Sequence, residues 1–201
     1  MPDKKQRGIS NRPIAIQDVP DAPTVSAADV GTSRAYNNGA ATVTLSNPTG
    51  GAPTSWSVTT TPTTTTTVAT SSPVTLTGLS SATSYTVSAT ATNGTGVTSG
   101  ATTSSSFTAT TVPQAPTIGT VSVTNSTTVS VPFTAGATGG SSITAYTLTS
   151  SPSISLTYSG TTSPFTVTGS FAQNTSYTFT LVANNANGAS IASSTSNSCL
   201  L

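Results

Sequence analysis

The stretch Thr83-Ser84-Tyr85-Thr86-Val87-Ser88-Ala89-Thr90-Ala91-Thr92-Asn93-Gly94-Thr95-Gly96 decides the fold of this chain. Tyr85, Val87, Ala89 and Ala91 alternate with Thr and Ser, the period-two signal of a strand with one buried face. Asn93 and Gly94 then supply a turn, because both residue types tolerate positive φ. The same phrase returns at Thr175-Ser176-Tyr177-Thr178-Phe179-Thr180-Leu181 and runs on to Asn185 and Gly188. In both copies Asn stands eight residues after Tyr, and the closing Gly eleven residues after it.

Outward from this phrase the repeat extends over most of the sequence. Ala22-Pro23-Thr24 recurs as Ala115-Pro116-Thr117, and Pro62 as Pro152, at offsets of 93 and 90. A unit of about 92 residues is too long for a solenoid repeat and suits a small β-sandwich. Other short alternating runs carry apolar residues toward one face: Val43 and Leu45, Trp56 and Val58, and Val74 and Leu76 in the first unit. The second unit has Val129, Val131 and Phe133; Tyr146 and Leu148; Ile154, Leu156 and Tyr158; and Phe165 and Val167. Gly, Pro and Asn punctuate these runs, as at Gly50-Gly51 and Gly139-Gly140, and no segment sustains a 3.6 period. The expected fold is all-β: two tandem antiparallel sandwiches at 21–112 and 113–201, preceded by an extended arm at 1–20. Pro113 and Pro116 restrict the junction, so the units are expected to be semi-rigidly linked.

These residues resemble the fibronectin type III family over roughly residues 20–201. The resemblance rests on Leu79, Thr83, Tyr85, Val87, Ala89, Asn93 and Gly96, and again on Phe171, Thr175, Tyr177, Phe179, Leu181, Asn185 and Gly188. The opening Ala-Pro and the Gly-Gly ahead of Trp56 and Tyr146 also match. Two features depart from the family pattern. Leu45 and Phe133 stand where its strand-B Trp is usual, and Ser81 and Gln173 where a turn Pro is usual, which implies small cores. The resemblance also implies that Tyr85 and Tyr177 pack inward with their hydroxyls on nearby backbone. The Arg-Gly-Asp of some members is absent, since Ile9 follows Arg7-Gly8.

Charge is distributed unevenly. The 201 residues hold five Lys or Arg, four Asp or Glu and no His. The last charged residue is Arg34, and seven of the nine charges precede Ala22. Thr occurs 47 times and Ser 34 times, and β-branched Thr favours pleated strands rather than disorder. From Ala35 onward no side chain can act as a strong general base, so a catalytic Ser lacks the partner it needs. No cofactor or metal site is expected, because ligand clusters are missing. Nucleic acid is not expected as a partner, because the folded part has no basic patch.

Candidate residues fall into two sets. The arm offers Lys4, Lys5, Arg7 and Arg12 with Ile14 and Ile16, a pattern suited to docking on another protein. The core set is Leu45, Trp56, Tyr85, Phe133, Tyr146 and Tyr177, expected to pack rather than to bind. The sequons at Asn93, Asn125 and Asn174 are expected by chance in so hydroxyl-rich a chain. The threonines at 63–67 are read as an exposed strand and loop. Cys199 is a lone thiol without a disulfide partner. The segment Met1–Asp21 lacks the apolar run of a secretory signal, and no stretch approaches a membrane span.

A sheet surface without charges has few means of blocking edge-to-edge pairing. Such a chain is easier to understand within an assembly than as a free monomer. The expectation is a non-enzymatic structural or accessory protein of a bacteriophage virion, present in many copies in a symmetric assembly. It would be made in the host cytoplasm and anchored to capsid, neck or tail proteins through its arm, with weak host-surface glycan contact. The alternative is an extracellular bacterial spacer or carbohydrate-binding module from a larger secreted enzyme or adhesin.

Overall fold

A computed structural model describes residues 19–46, 52–64 and 66–201. All regular structure among them is β. The first unit contains β1 (Val25–Asp29), β2 (Gly39–Leu45), β3 (Ser55–Thr61), β4 (Thr66–Ala69), β5 (Val74–Leu79), β6 (Thr83–Thr92), β7 (Thr102–Thr103) and β8 (Phe107–Ala109). One sheet has the order β1-β2-β5; the other has β4-β3-β6-β7, with β8 also pairing β6. Every pairing is antiparallel. β6 is the decisive phrase itself, and its burial alternates residue by residue from Tyr85 to Ala91. Val43, Leu45 and Leu76 of one sheet meet Trp56, Val58, Val87, Ala89 and Ala91 of the other to form the core.

The second unit contains β9 (Thr117–Ile118), β10 (Ser122–Asn125), β11 (Thr128–Val131), β12 (Phe133–Thr134), β13 (Ala145–Ser151), β14 (Leu156–Thr157), β15 (Phe165–Gly169), β16 (Ser176–Asn185), β17 (Gly188–Ala189) and β18 (Cys199–Leu200). Its sheets run β10-β11-β15-β14 and β13-β16-β17, with β18 pairing β16 and β9 pairing β12. The chain is thus two fibronectin type III-like sandwiches in tandem.

The repeat extends to the hydrogen bonds that close each unit. The Tyr85 hydroxyl accepts the Ser80 N–H at 3.0 Å, and the Tyr177 hydroxyl accepts the Ala172 N–H at 3.0 Å. Leu45 N–H donates to Ser72 Oγ at 2.8 Å, and Phe133 N–H donates to Ser163 Oγ at 2.8 Å.

The fourth strand breaks the symmetry. β4 pairs β3, whereas its counterpart β14 pairs β15 in the opposite sheet. The cause is what each segment has to bury. Ile154, Leu156 and Tyr158 pack against the second core, and the Tyr158 ring lies 5.2 Å from Phe165. Thr66, Thr67 and Val68 have no large inward residue, and Val68 is 70% exposed. The cores also differ in filling. Phe133 lies 4.7 Å from Tyr146 and 4.6 Å from Phe165, while Phe171 packs edge-on to Tyr177. The first core has fewer rings: Ala, Val and Leu surround Trp56, and Tyr85 lies 6.1 Å from Phe107 beside Leu79. The small core implied by the missing strand-B Trp is therefore found in the first unit, while aromatic rings fill the second.

Candidate functional site

The arm residues Lys4, Lys5, Arg7, Arg12, Ile14 and Ile16 lie outside the described residues, as does the Gly50-Gly51 turn. Leu45, Trp56, Tyr85, Phe133, Tyr146 and Tyr177 are all buried in the two cores. They offer no binding surface. Among the described residues no three His, Cys, Asp or Glu side chains come together as metal ligands, and no helix is long and apolar enough to cross a membrane.

What the structure does bring together lies at the junction of the sandwiches. Thr111, Val112 and Pro113 of the linker are buried, so each of their backbone polar groups needs a partner. Thr111 N–H donates to Gly139 carbonyl at 2.8 Å, and Val112 N–H to Arg34 carbonyl at 3.0 Å. The buried Asn185 amide donates to the carbonyls of Thr111 at 2.8 Å, Thr138 at 2.9 Å and Ser141 at 3.3 Å. Asn187 donates to Thr110 Oγ1 at 2.9 Å, and its own carbonyl accepts the Ser33 N–H at 2.8 Å. The Asp29 carboxylate takes both the N–H and the hydroxyl of Thr110. Contact is close enough that a side chain on Gly31 would strike Thr110 and Asn187. One on Gly140 would come within 3.1 Å of the Ala82 nitrogen. The units are locked by their loops as well as joined by the linker.

Sequence reasoning missed this lock. Two signals were present. The repeat reaches further than Ala-Pro-Thr: Val19-Pro20-Asp21-Ala22-Pro23-Thr24 parallels Val112-Pro113-Gln114-Ala115-Pro116-Thr117. And Asn187 stands where the first unit has Thr95. There, Asn93 uses its side-chain oxygen locally, accepting from Thr95 N–H at 3.0 Å, Thr95 Oγ1 at 2.7 Å and Val97 N–H at 2.9 Å. Asn125 accepts both groups of Thr127 in the same way. The Asn-x-Thr spelling at these two positions is thus accounted for by turns.

The edges of the sheets are a second finding. After β16 the chain places Ser190, Ser193 and Ser196 at intervals of three against alternate residues of that strand. Each Ser N–H donates to the carbonyl of Ala183, Leu181 or Phe179, respectively, at 2.8 to 2.9 Å. Each Ser Oγ accepts the N–H of that same residue at 2.9 to 3.0 Å. Each hydroxyl then donates to the carbonyl of the residue after it: Ile191, Ser194 or Asn197. Ser99 and Ser104 make the same bridges to Ala91 and Val87 in the first unit. At the outer edge of β13, Tyr158 plays this part: its hydroxyl accepts Leu148 N–H at 2.8 Å and donates to Tyr146 carbonyl at 3.3 Å. These hydroxyls interrupt the regular row of donors and acceptors that a new strand would need. The positions where a Lys would ordinarily guard an edge are taken at these edges by Ser and Tyr hydroxyls.

No protein-family model and no curated protein sequence matches the chain. Among the solved structures similar to it are domains A168-A170 of titin, at 17% identity and TM-score 0.39, and the FN1-FN3 domains of chicken CNTN1, at 18% identity and TM-score 0.38. They match 89% and 90% of this chain, which spans 66% and 64% of theirs, just under two thirds.

Proposed function

We propose that the chain is a non-enzymatic structural or accessory protein of a bacteriophage virion, attached through residues 1–20 and displaying two sandwiches. The observation that carries this reading is the separation of charge from fold. Seven of nine charges precede Ala22, and the two that follow, Asp29 and Arg34, make hydrogen bonds to Thr110 and Asn38. Lys4, Lys5, Arg7 and Arg12 with Ile14 and Ile16 suit an arm that crosses a capsid, neck or tail surface. The sandwiches carry almost no charge, so their stability is insensitive to changes of salt that a particle meets outside a cell. Many copies at fixed sites would hold such neutral surfaces apart, and hydroxyl-rich faces suit weak contact with host-surface glycans.

The test is to compare virions produced with the full chain and with a chain lacking residues 1–18. Incorporation should be lost while circular dichroism of the purified truncated chain still reports two folded sandwiches. Normal incorporation of the truncated chain would sink the anchoring role.

A further inference from the structure

We propose that the cleft at the locked junction is a binding site for a neutral sugar ring, which deepens the host-contact role above and rests on it. The cleft encloses about 660 Å³ between the β1–β2 loop, the linker and the start of the serine-bridged segment after β17. That lies within the roughly 300–1,000 Å³ of small-ligand sites. A second cleft, beside Thr149 and Thr180, holds about 100 Å³.

Its chemistry is divided as a pyranose is divided. Val112, Pro113 and Ile191 give it apolar walls, and Tyr36 contributes a ring that is 38% exposed. An aromatic face of this kind receives the C–H face of a sugar while its hydroxyl stays wet. Tyr36, Ser33 and Gln114 also line the cleft, and the Tyr36 hydroxyl, the Ser33 hydroxyl and the Gln114 amide nitrogen have no hydrogen-bond partner among the described residues, while the Gln114 side-chain oxygen accepts the Ala137 N–H. Hydroxyls that can both donate and accept, beside an amide donor, match the edge of a polyol.

Charge narrows the ligand further. No charged side chain lines the cleft. Arg34, the nearest in sequence, is turned to Asn38, its Nε donating to the carbonyl at 2.9 Å. An anionic sugar would have no counter-charge. An extended peptide is also a poor fit, because strand addition needs a free ladder. The wall segment has already given its Ile191 carbonyl to Ser190 Oγ at 2.7 Å. The site is preformed, because the Asn185 and Asn187 bonds fix its two sides.

The experiment is an amide NMR titration of the full chain with neutral oligosaccharides of glucose, galactose and N-acetylglucosamine to millimolar concentration. An oligogalacturonate and a proline-rich peptide serve as contrasts. At least one neutral glycan should shift Tyr36, Gln114 and Ile191 amides. Tyr36→Ala should weaken that binding about tenfold, and Gln114→Ala should weaken it less; both sites are exposed, so folding is retained. Silence across the neutral panel, shifts confined to other faces, or Tyr36-dependent binding of only the peptide or the acidic glycan would each overturn the proposal. The chain lacking residues 1–18 should bind the same glycan. Loss of incorporation in that chain reports on the anchor, and failure of Tyr36→Ala to weaken binding reports on the cleft.

Discussion

The side-chain amide of Asn185 donates to the Thr111 carbonyl at 2.8 Å, so a turn of the second sandwich holds the chain where it leaves the first. Asn93 occupies the same place in the first unit, eight residues after its Tyr, and turns its side-chain oxygen to Thr95 and Val97. The Asn185 side-chain oxygen likewise accepts the Asn187 N–H at 2.9 Å, so both copies close the same turn, and the Asn185 amide also holds the linker carbonyl of Thr111. Asn185→Ala removes the amide donor from the carbonyls of Thr138 and Ser141 and leaves Thr111 with only the longer bond from Asn187 at 3.2 Å, at a cost of about 1–3 kcal/mol. The second sandwich should lose that stability in denaturant melts, and small-angle scattering should show a wider spread of elbow angles. Asn93→Ala should destabilise only the first sandwich. An unchanged elbow in Asn185→Ala would remove the latch assignment.

Ser193 is 8% exposed and joins Leu181 N–H to the carbonyl of Ser194 through one hydroxyl. Ser193→Ala leaves a buried donor unpaired and reopens a stretch of sheet edge. Stability should fall by about 1–3 kcal/mol, and light scattering should report slow self-association at high concentration. Ser194→Ala, one residue on and exposed, should stay within about 0.5 kcal/mol of the parent. Equal behaviour of the two variants would mean that the serine bridges do not guard the edge.

Much of this architecture was legible because period-two alternation reports directly on which face is buried. Tyr85 to Ala91 and Tyr177 to Leu181 fall in the two longest strands, and the Tyr-to-Asn spacing marks the turn after each. What was not legible depends on partners distant in sequence. Nothing near Asp29 announces that it will bind Thr110, 81 residues away. The serine bridges were visible as a spacing of three, but in a chain so rich in Ser and Thr that spacing is lost in the background. The transfer of β14 to the opposite sheet follows from Tyr158 finding Phe165, a matter of packing that alternation does not encode.

Tyr158 supplies a separable prediction. Its ring packs on the second core while its hydroxyl closes the edge of β13. Tyr158→Phe keeps the ring and deletes only the hydroxyl, so the core should persist. The Leu148 N–H then faces outward without its acceptor. The expected loss is about 1 kcal/mol, with faster amide exchange confined to Leu148 and its neighbours. Exchange unchanged at Leu148 would show that water replaces the hydroxyl without consequence.

Stability should fall on the alkaline side of neutrality. The chain has no His, the only side chain that ordinarily titrates between about pH 5 and 8. Burial pushes the Cys199 thiol and the Tyr146 phenol upward from their ordinary values. Both groups are neutral when protonated, so the folded state favours the protonated form. Each therefore contributes stability that is complete below its unfolded titration range and is lost as pH rises through its higher folded value. Melting temperature should stay level through neutrality and fall on the alkaline side, above about pH 9. The same burial, with Cys199 only 6% exposed, should make the thiol slow to alkylate at neutral pH until the second sandwich unfolds. Cys199→Ser keeps the size of the side chain and should flatten the first part of the alkaline decline. A decline of equal slope in that variant would assign the effect to Tyr146 rather than to Cys199.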